Sequence, residues 1–166
     1  MIKLRPYKSS DSNYVINWIT DERCHFKWCA NHMVYPLTTE VMDAYEAAFA
    51  DGKDGLIFTA VNEEDIPVGH ITIKNNKKGS DSARLSYILV DSNQRKQGIG
   101  TQIVSLAVKY AFETMNMKKL SLCVFANNQI ARNCYKAAGF KDVAFHDHCV
   151  PYKDEIWSYY EMQVEK

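Results

Sequence analysis

The segment from Ala83 to Tyr110 constrains this chain more than any other. Ala83–Val90, closing in Tyr87-Ile88-Leu89-Val90, reads as a strand. Asp91-Ser92-Asn93-Gln94 breaks it, and Arg95-Lys96-Gln97-Gly98-Ile99-Gly100 follows. Residues 98–113 then place Ile99, Ile103, Leu106, Ala107 and Tyr110 at i, i+4, i+7, i+8 and i+11, an amphipathic helix facing a core. A strand that feeds a helix through so short a turn commits the chain to an α/β architecture.

The turn also has chemistry. A helix N-terminus presents backbone N–H groups without partners and the positive end of the dipole. Gly98 and Gly100 carry no Cβ to block a pyrophosphate from those donors. Arg95 and Lys96 add complementary charge. The same Gly-x-Gly also occurs in purely structural strand-to-helix turns, so the loop alone leaves both readings open. A P-loop is excluded, because the first glycine is not followed by Gly-Lys-Ser/Thr. A dinucleotide fingerprint is excluded by its missing third glycine and by the loop's position late in the chain.

The other elements follow from periodicity and capping. Residues 2–7 read as a first strand. Ser9, Ser10, Asp11 and Ser12 offer N-caps ahead of Tyr14, Val15, Trp18 and Ile19 at helical spacing. Residues 21–36 look aromatic-rich and irregular. Thr38 or Thr39 starts a helix over residues 40–50, with Val41, Met42, Tyr45 and Phe49 on one side. Leu56–Asn62 and Ile66–Lys74 form strands around Glu63-Glu64-Asp65. Lys119–Phe125 is a strand, and Asn128–Ala138 a helix stopped by Gly139. Phe140–Ala144 and Ile156–Gln163 are terminal strands. This order predicts one mixed α/β sheet in a single domain over residues 1–166.

Twenty basic and twenty acidic residues cancel, which argues against a dedicated nucleic-acid binder. Five cysteines, an odd count, argue against a disulfide framework, and Cys123 in its apolar run reads as core. No apolar run approaches the roughly 20 residues of a membrane span, and no signal-type stretch opens the chain. A membrane role is therefore not expected, and a reducing cytoplasm is. A homodimer is compatible with such a chain.

The pattern Arg95-x-x-Gly98-x-Gly100 after Ile88-Leu89-Val90-Asp91 resembles the acetyl-CoA signature of the GNAT (GCN5-related) N-acetyltransferase superfamily. Asn128-Gln129-Ile130-Ala131-Arg132-Asn133-Cys134-Tyr135, closing in Gly139-Phe140, resembles that family's downstream motif. Trp18-Ile19-Thr20-Asp21-Glu22, Trp28 and Pro36-Leu37-Thr38 look like the branch of RimJ/RimL type. The resemblance implies a single-domain GNAT fold: a mixed, mostly antiparallel sheet of about six to seven strands with about four helices. It implies transfer of an acetyl group from acetyl-CoA to a primary amine by direct attack on the thioester, with no metal. A small-molecule acceptor is expected. A protein N-terminus, or a non-catalytic acyl-CoA-binding role, is the alternative.

Residue by residue, the resemblance implies that Ile88, Leu89 and Val90 pair with the pantetheine arm, an N–H of the Ile88–Leu89 backbone polarising the acetyl carbonyl. Arg95, Lys96, Gln97, Gly98, Ile99, Gly100 and Thr101 would hold the pyrophosphate. Asn128 would bond the pantetheine amides, or simply cap its helix. Tyr135 is the family's usual general acid toward the departing thiolate. Many relatives place a glutamate where this chain has Arg84, which cannot act as a base. Strand alternation puts Arg84, Ser86 and Ile88 on one face. Facing an acceptor, Arg84 would bind a carboxylate or phosphate, and Trp28 would help wall the pocket. His70, His146, His148 and Glu161 are possible bases through water. His146-Asp147-His148-Cys149 has no partnered ligand cluster and reads as a polar loop.

Overall fold

A computed structural model describes residues 1–77 and 79–166. Strand β1 (Lys3–Pro6) precedes helices α1 (Ser12–Trp18), α2 (Glu22–Cys29) and α3 (Thr39–Ala48). Strands β2 (Gly55–Val61), β3 (Pro67–Asn75) and β4 (Ser82–Val90) lead into α4 (Ile99–Glu113). Then come β5 (Lys119–Phe125), α5 (Gln129–Ala137), β6 (Lys141–Tyr152) and β7 (Glu155–Glu165). The strands form one sheet in the order β1-β2-β3-β4-β5-β7-β6. Every pairing is antiparallel except β4 with β5. The result is the expected mixed, mostly antiparallel sheet in one domain, with one helix more than the sequence predicts.

That extra helix is α2, in the segment read as irregular. Asp21 accepts a bond from the Cys24 N–H at 2.7 Å, and Ala30 closes the helix in the left-handed region. His25, Phe26, Trp28 and Cys29 fall on its buried side. Cys24, His25, Phe26, Trp28 and Cys29 are weak helix formers, so propensity hid what capping and burial make. Strand β6 is likewise far longer than Phe140–Ala144. His146–Cys149 belongs to it, not to a loop, and the register with β7 breaks between His146 and Val150. An outer strand with one solvated face needs no continuous apolar run.

Two layers cover the sheet. Ile103, Val104, Ala107 and Ala111 of α4 pack with Phe58, Ile71, Ile73, Leu85, Leu120 and Met162. On the other face Val15, Trp18, Trp28, Met42, Tyr45 and Leu89 form a second cluster. Phe26 of α2 stacks on Phe125 at 5.4 Å and meets Trp157 edge-on at 5.1 Å, which ties α2 to β5 and β7. Asp11 does not cap α1 through its side chain. It is buried and accepts bonds from Arg5 Nη1 and Nη2 (2.7 and 2.9 Å), Thr59 (2.7 Å) and the Lys8 N–H (3.0 Å). That cluster locks β1, the start of α1 and β2 together.

Two irregularities in β4 prepare the site. Leu89 pairs with His70 and Ser86 with Thr72, so Tyr87 and Ile88 together stand opposite Ile71. Tyr87 has φ 53°, which marks a β-bulge. The bulge breaks strand alternation: Leu85, Ile88 and Val90 pack toward α4, whereas Tyr87 and Leu89 pack with the α1–α3 layer. Ile88 therefore does not share the face of Arg84, contrary to simple alternation. β4 and β5 also pair only from Ser82↔Lys119 to Arg84↔Ser121, and beyond that point they separate.

Candidate active site

Where β4 and β5 part, a cleft of about 460 Å³ opens. The free edge of β4, including Ile88, Leu89 and Val90, forms one wall, and Cys123 and Val124 of β5 form the other. Arg95, Lys96, Gly98, Ile99 and Gly100 border it at the start of α4. Asn128, Ala131, Cys134 and Tyr135 border it from α5. The two motifs, Arg95–Gly100 and Asn128–Tyr135, thus meet across one gap. Gln97 and Thr101 are not among the lining residues, so the structure does not bring these two expected ligands to the wall.

The start of α4 has the form a large anion needs. Gly98 sits at φ 76° as N-cap with no side-chain bond closing the helix end. A Cβ built there would meet nothing within 4 Å. The loop is therefore not held open by packing; the glycine meets a backbone requirement and leaves vacant space beside unpartnered N–H groups. Lys96, also at positive φ, is exposed. Arg95 is exposed too, and its Nη2 reaches the Trp18 carbonyl at 3.4 Å. These residues fit a pyrophosphate.

On α5, Asn128 caps the helix by accepting from the Ala131 N–H at 3.4 Å, which leaves its amide N–H₂ free. Tyr135, only 8% exposed, packs against Phe140. Burial pushes its phenol well above the ordinary value, and the nearby Cys134 thiol acts in the same direction. It keeps its proton at any physiological pH.

A second cleft, of about 540 Å³, adjoins the first. Lys27, Trp28, Ser86, Tyr87, Cys123 and Val124 border both. Away from this shared wall the second cleft is bordered by Ala30 and His32, by Lys74 and Arg84, and by Val150, Tyr159 and Glu161. Arg84 lies here with its Nη2 against the Cys123 sulfur. Trp28 packs between Tyr87 (5.8 Å) and His70 (6.2 Å), and its Nε1–H is buried without a partner. Glu161 accepts from His146 at 3.1 Å. His148 pairs with Asp147 on the surface.

His70 is removed from the list of possible bases. It is fully buried, holds the Tyr45 hydroxyl at 3.0 Å, and has its pKa pushed down to about 3 by burial. Cys123 is corrected as well: it is half-buried at the junction of the two clefts, not in the core.

A family profile described as the acetyltransferase (GNAT) family matches residues 13–140. The chain belongs to that family. As a GNAT member it is an acetyl-CoA-dependent N-acetyltransferase. Solved structures of spermidine N-acetyltransferase from Vibrio cholerae share its fold. The complex with CoA and spermine superposes with TM-score 0.85 at 15% identity, covering 99% of this chain and 95% of that one. A chimera of the Vibrio cholerae enzyme with hSSAT gives TM-score 0.83 at 15% identity over 99% and 95%. A dodecameric form in an intermediate state gives 0.79 at 15% identity over 99% and 93%. Among the described residues of this GNAT chain, no helix is long and apolar enough to cross a membrane.

Motif reading missed Cys123, Tyr159 and Lys74. They come together only through register: Cys123 opposes Glu161, Phe125 opposes Tyr159, and Lys74 opposes Arg84. No spacing along the chain announces that.

Proposed function

We propose that this chain acetylates the primary amine of a small molecule, with donor and acceptor meeting at the wall shared by the two clefts. The observation that carries the proposal is the parting of β4 from β5, which joins a cleft beside an open helix N-terminus to a second one. A volume of about 540 Å³ suits a small acceptor. The polyamine-acetylating neighbours support the same acceptor size.

Acetyl-CoA supplies an activated acyl group on a thiol of pKa roughly 8.5. In this proposal the N–H groups at Gly98–Gly100, with Arg95 and Lys96, hold the pyrophosphate, and the free Asn128 amide bonds the pantetheine. The bulge at Tyr87 takes Ile88 out of regular pairing with β3, leaving backbone to face the acyl oxygen. Tyr135 hydrogen-bonds the departing sulfur. Its raised pKa makes full proton transfer uphill, so its role is stabilisation by a donated hydrogen bond. Glu161, the one carboxylate among the described residues that border the second cleft, takes the amine proton through water.

Of the RimJ/RimL-like residues, Trp18 is a core position, whereas Trp28 is buried yet borders both clefts, where it would help wall the acceptor pocket. The cytoplasmic setting rests on the odd cysteine count. Self-association is proposed from Val143, Phe145 and Ile156, each at least half exposed along β6 and β7. The test is a thiol-release screen with acetyl-CoA over amines, polyamines, aminoglycosides and N-terminal peptides. Small amines are expected to outrun peptides. At about 100 Kd of acetyl-CoA the melting temperature should rise by roughly 5–10 °C. No shift and no turnover would remove the proposal.

A further inference from the structure

The second cleft is basic. Among the described residues, Lys27, Lys74 and Arg84 border it against a single carboxylate, Glu161. Lys74 and Arg84 are direct cross-strand partners on β3 and β4, so their side chains leave the sheet on one face as close neighbours. Like charges so placed repel. Among the described residues neither forms an ion pair. Unneutralised cations facing each other in a cleft are relieved by an anion bound between them. The neighbours that acetylate spermidine must accept a polycation, and this cleft repels one.

Register and side-chain reach set the charges in the cleft. Arg84 pairs with Ser121 of β5, and Glu161 pairs with Cys123, two residues further along. The Arg84 guanidinium spans that offset, because its Nη2 reaches the Cys123 sulfur. Guanidinium and carboxylate therefore face the same stretch of cleft from β4 and β7, and Lys74 on β3 lies on the side of Arg84 away from Glu161. Building on the acetyltransferase reading, we infer that the acceptor is a zwitterion: a primary amine directed to Glu161 and the wall shared with the donor cleft, with a carboxylate or phosphate held by Arg84 and Lys74. A guanidinium and an ammonium together suit either anion.

The test compares matched pairs: 6-aminohexanoate with hexylamine, and glucosamine 6-phosphate with glucosamine, with spermidine alongside. The anionic member is expected to have kcat/KM about tenfold or more above its neutral partner, which is the scale of one charge-assisted hydrogen bond. The pair with the larger ratio tells carboxylate from phosphate. R84Q and K74Q should each shrink the ratio through KM of the anionic acceptor, and R84E should shift preference toward spermidine. A wild-type preference for spermidine or hexylamine, or an equal loss on every acceptor in both variants, would overturn the inference. Calorimetry of glucosamine 6-phosphate against the CoA-saturated protein separates the two readings. If no amine is acetylated, the acetyltransferase reading falls, yet phosphate-dependent binding lost in R84Q upholds the anion site. Absence of binding to wild type overturns it.

Discussion

Tyr135 keeps its phenol at a cleft wall where burial holds the proton on oxygen. That favours a donor that stabilises negative charge on sulfur and disfavours one that gives its proton away. Tyr135→Phe is therefore expected to lower kcat by about 10- to 100-fold and leave the apparent affinity for acetyl-CoA within a few-fold. The melting temperature should move by no more than a degree or two, because no described hydrogen bond of the protein is lost. Steady-state kinetics with thermal denaturation checks both. Tyr135, Asn128 and the Arg95–Gly100 loop were legible in the sequence because each sits in a local pattern. His70 was not: this β3 residue is neutral because it is completely buried beneath Tyr45 of α3, far away in the chain. Glu161 was one of four possible bases with no spacing to favour it, and only β5–β7 register puts it beside Cys123.

At the scale of elements, α4 begins where Gly98 turns left-handed and leaves space. Alanine at this position costs about 1 kcal/mol of backbone strain and fills part of that space. Gly98→Ala should therefore lower the melting temperature by only about 2–4 °C but raise KM for acetyl-CoA at least about fivefold. A titration followed by thermal shift separates the two effects. Most elements could be read from periodicity, and their ends fell within a few residues. α2 escaped because its evidence is a cap at Asp21 and a buried side rich in aromatics, both outweighed by poor propensity. The length of β6 escaped because a half-solvated outer strand spells no apolar run. The bulge at Tyr87 left no mark in composition at all, and it alone reverses the face of Ile88.

For the whole molecule, the buried imidazole of His70 sets an acid limit on stability. Its folded pKa, about 3, lies below the unfolded value of about 6.5. Between these values the unfolded chain binds a proton that the folded chain refuses. Stability is then complete above about pH 6.5 and declines as pH falls, by at most about 1.4 kcal/mol per unit. Burial lowers His25 in the same direction. Urea midpoints should therefore fall from pH 7 to pH 5 by an amount equivalent to roughly 2 kcal/mol, and the slope should flatten in His70→Gln. The two adjoining clefts carry a different consequence. They share an inner wall but diverge toward different elements, α4 and α5 on one side, β6 and β7 on the other. Neither reactant needs to wait for the other to clear a common doorway. Initial-rate plots should intersect, in the manner of a ternary complex with no compulsory order. Free CoA should compete with acetyl-CoA yet act as a mixed inhibitor against the amine.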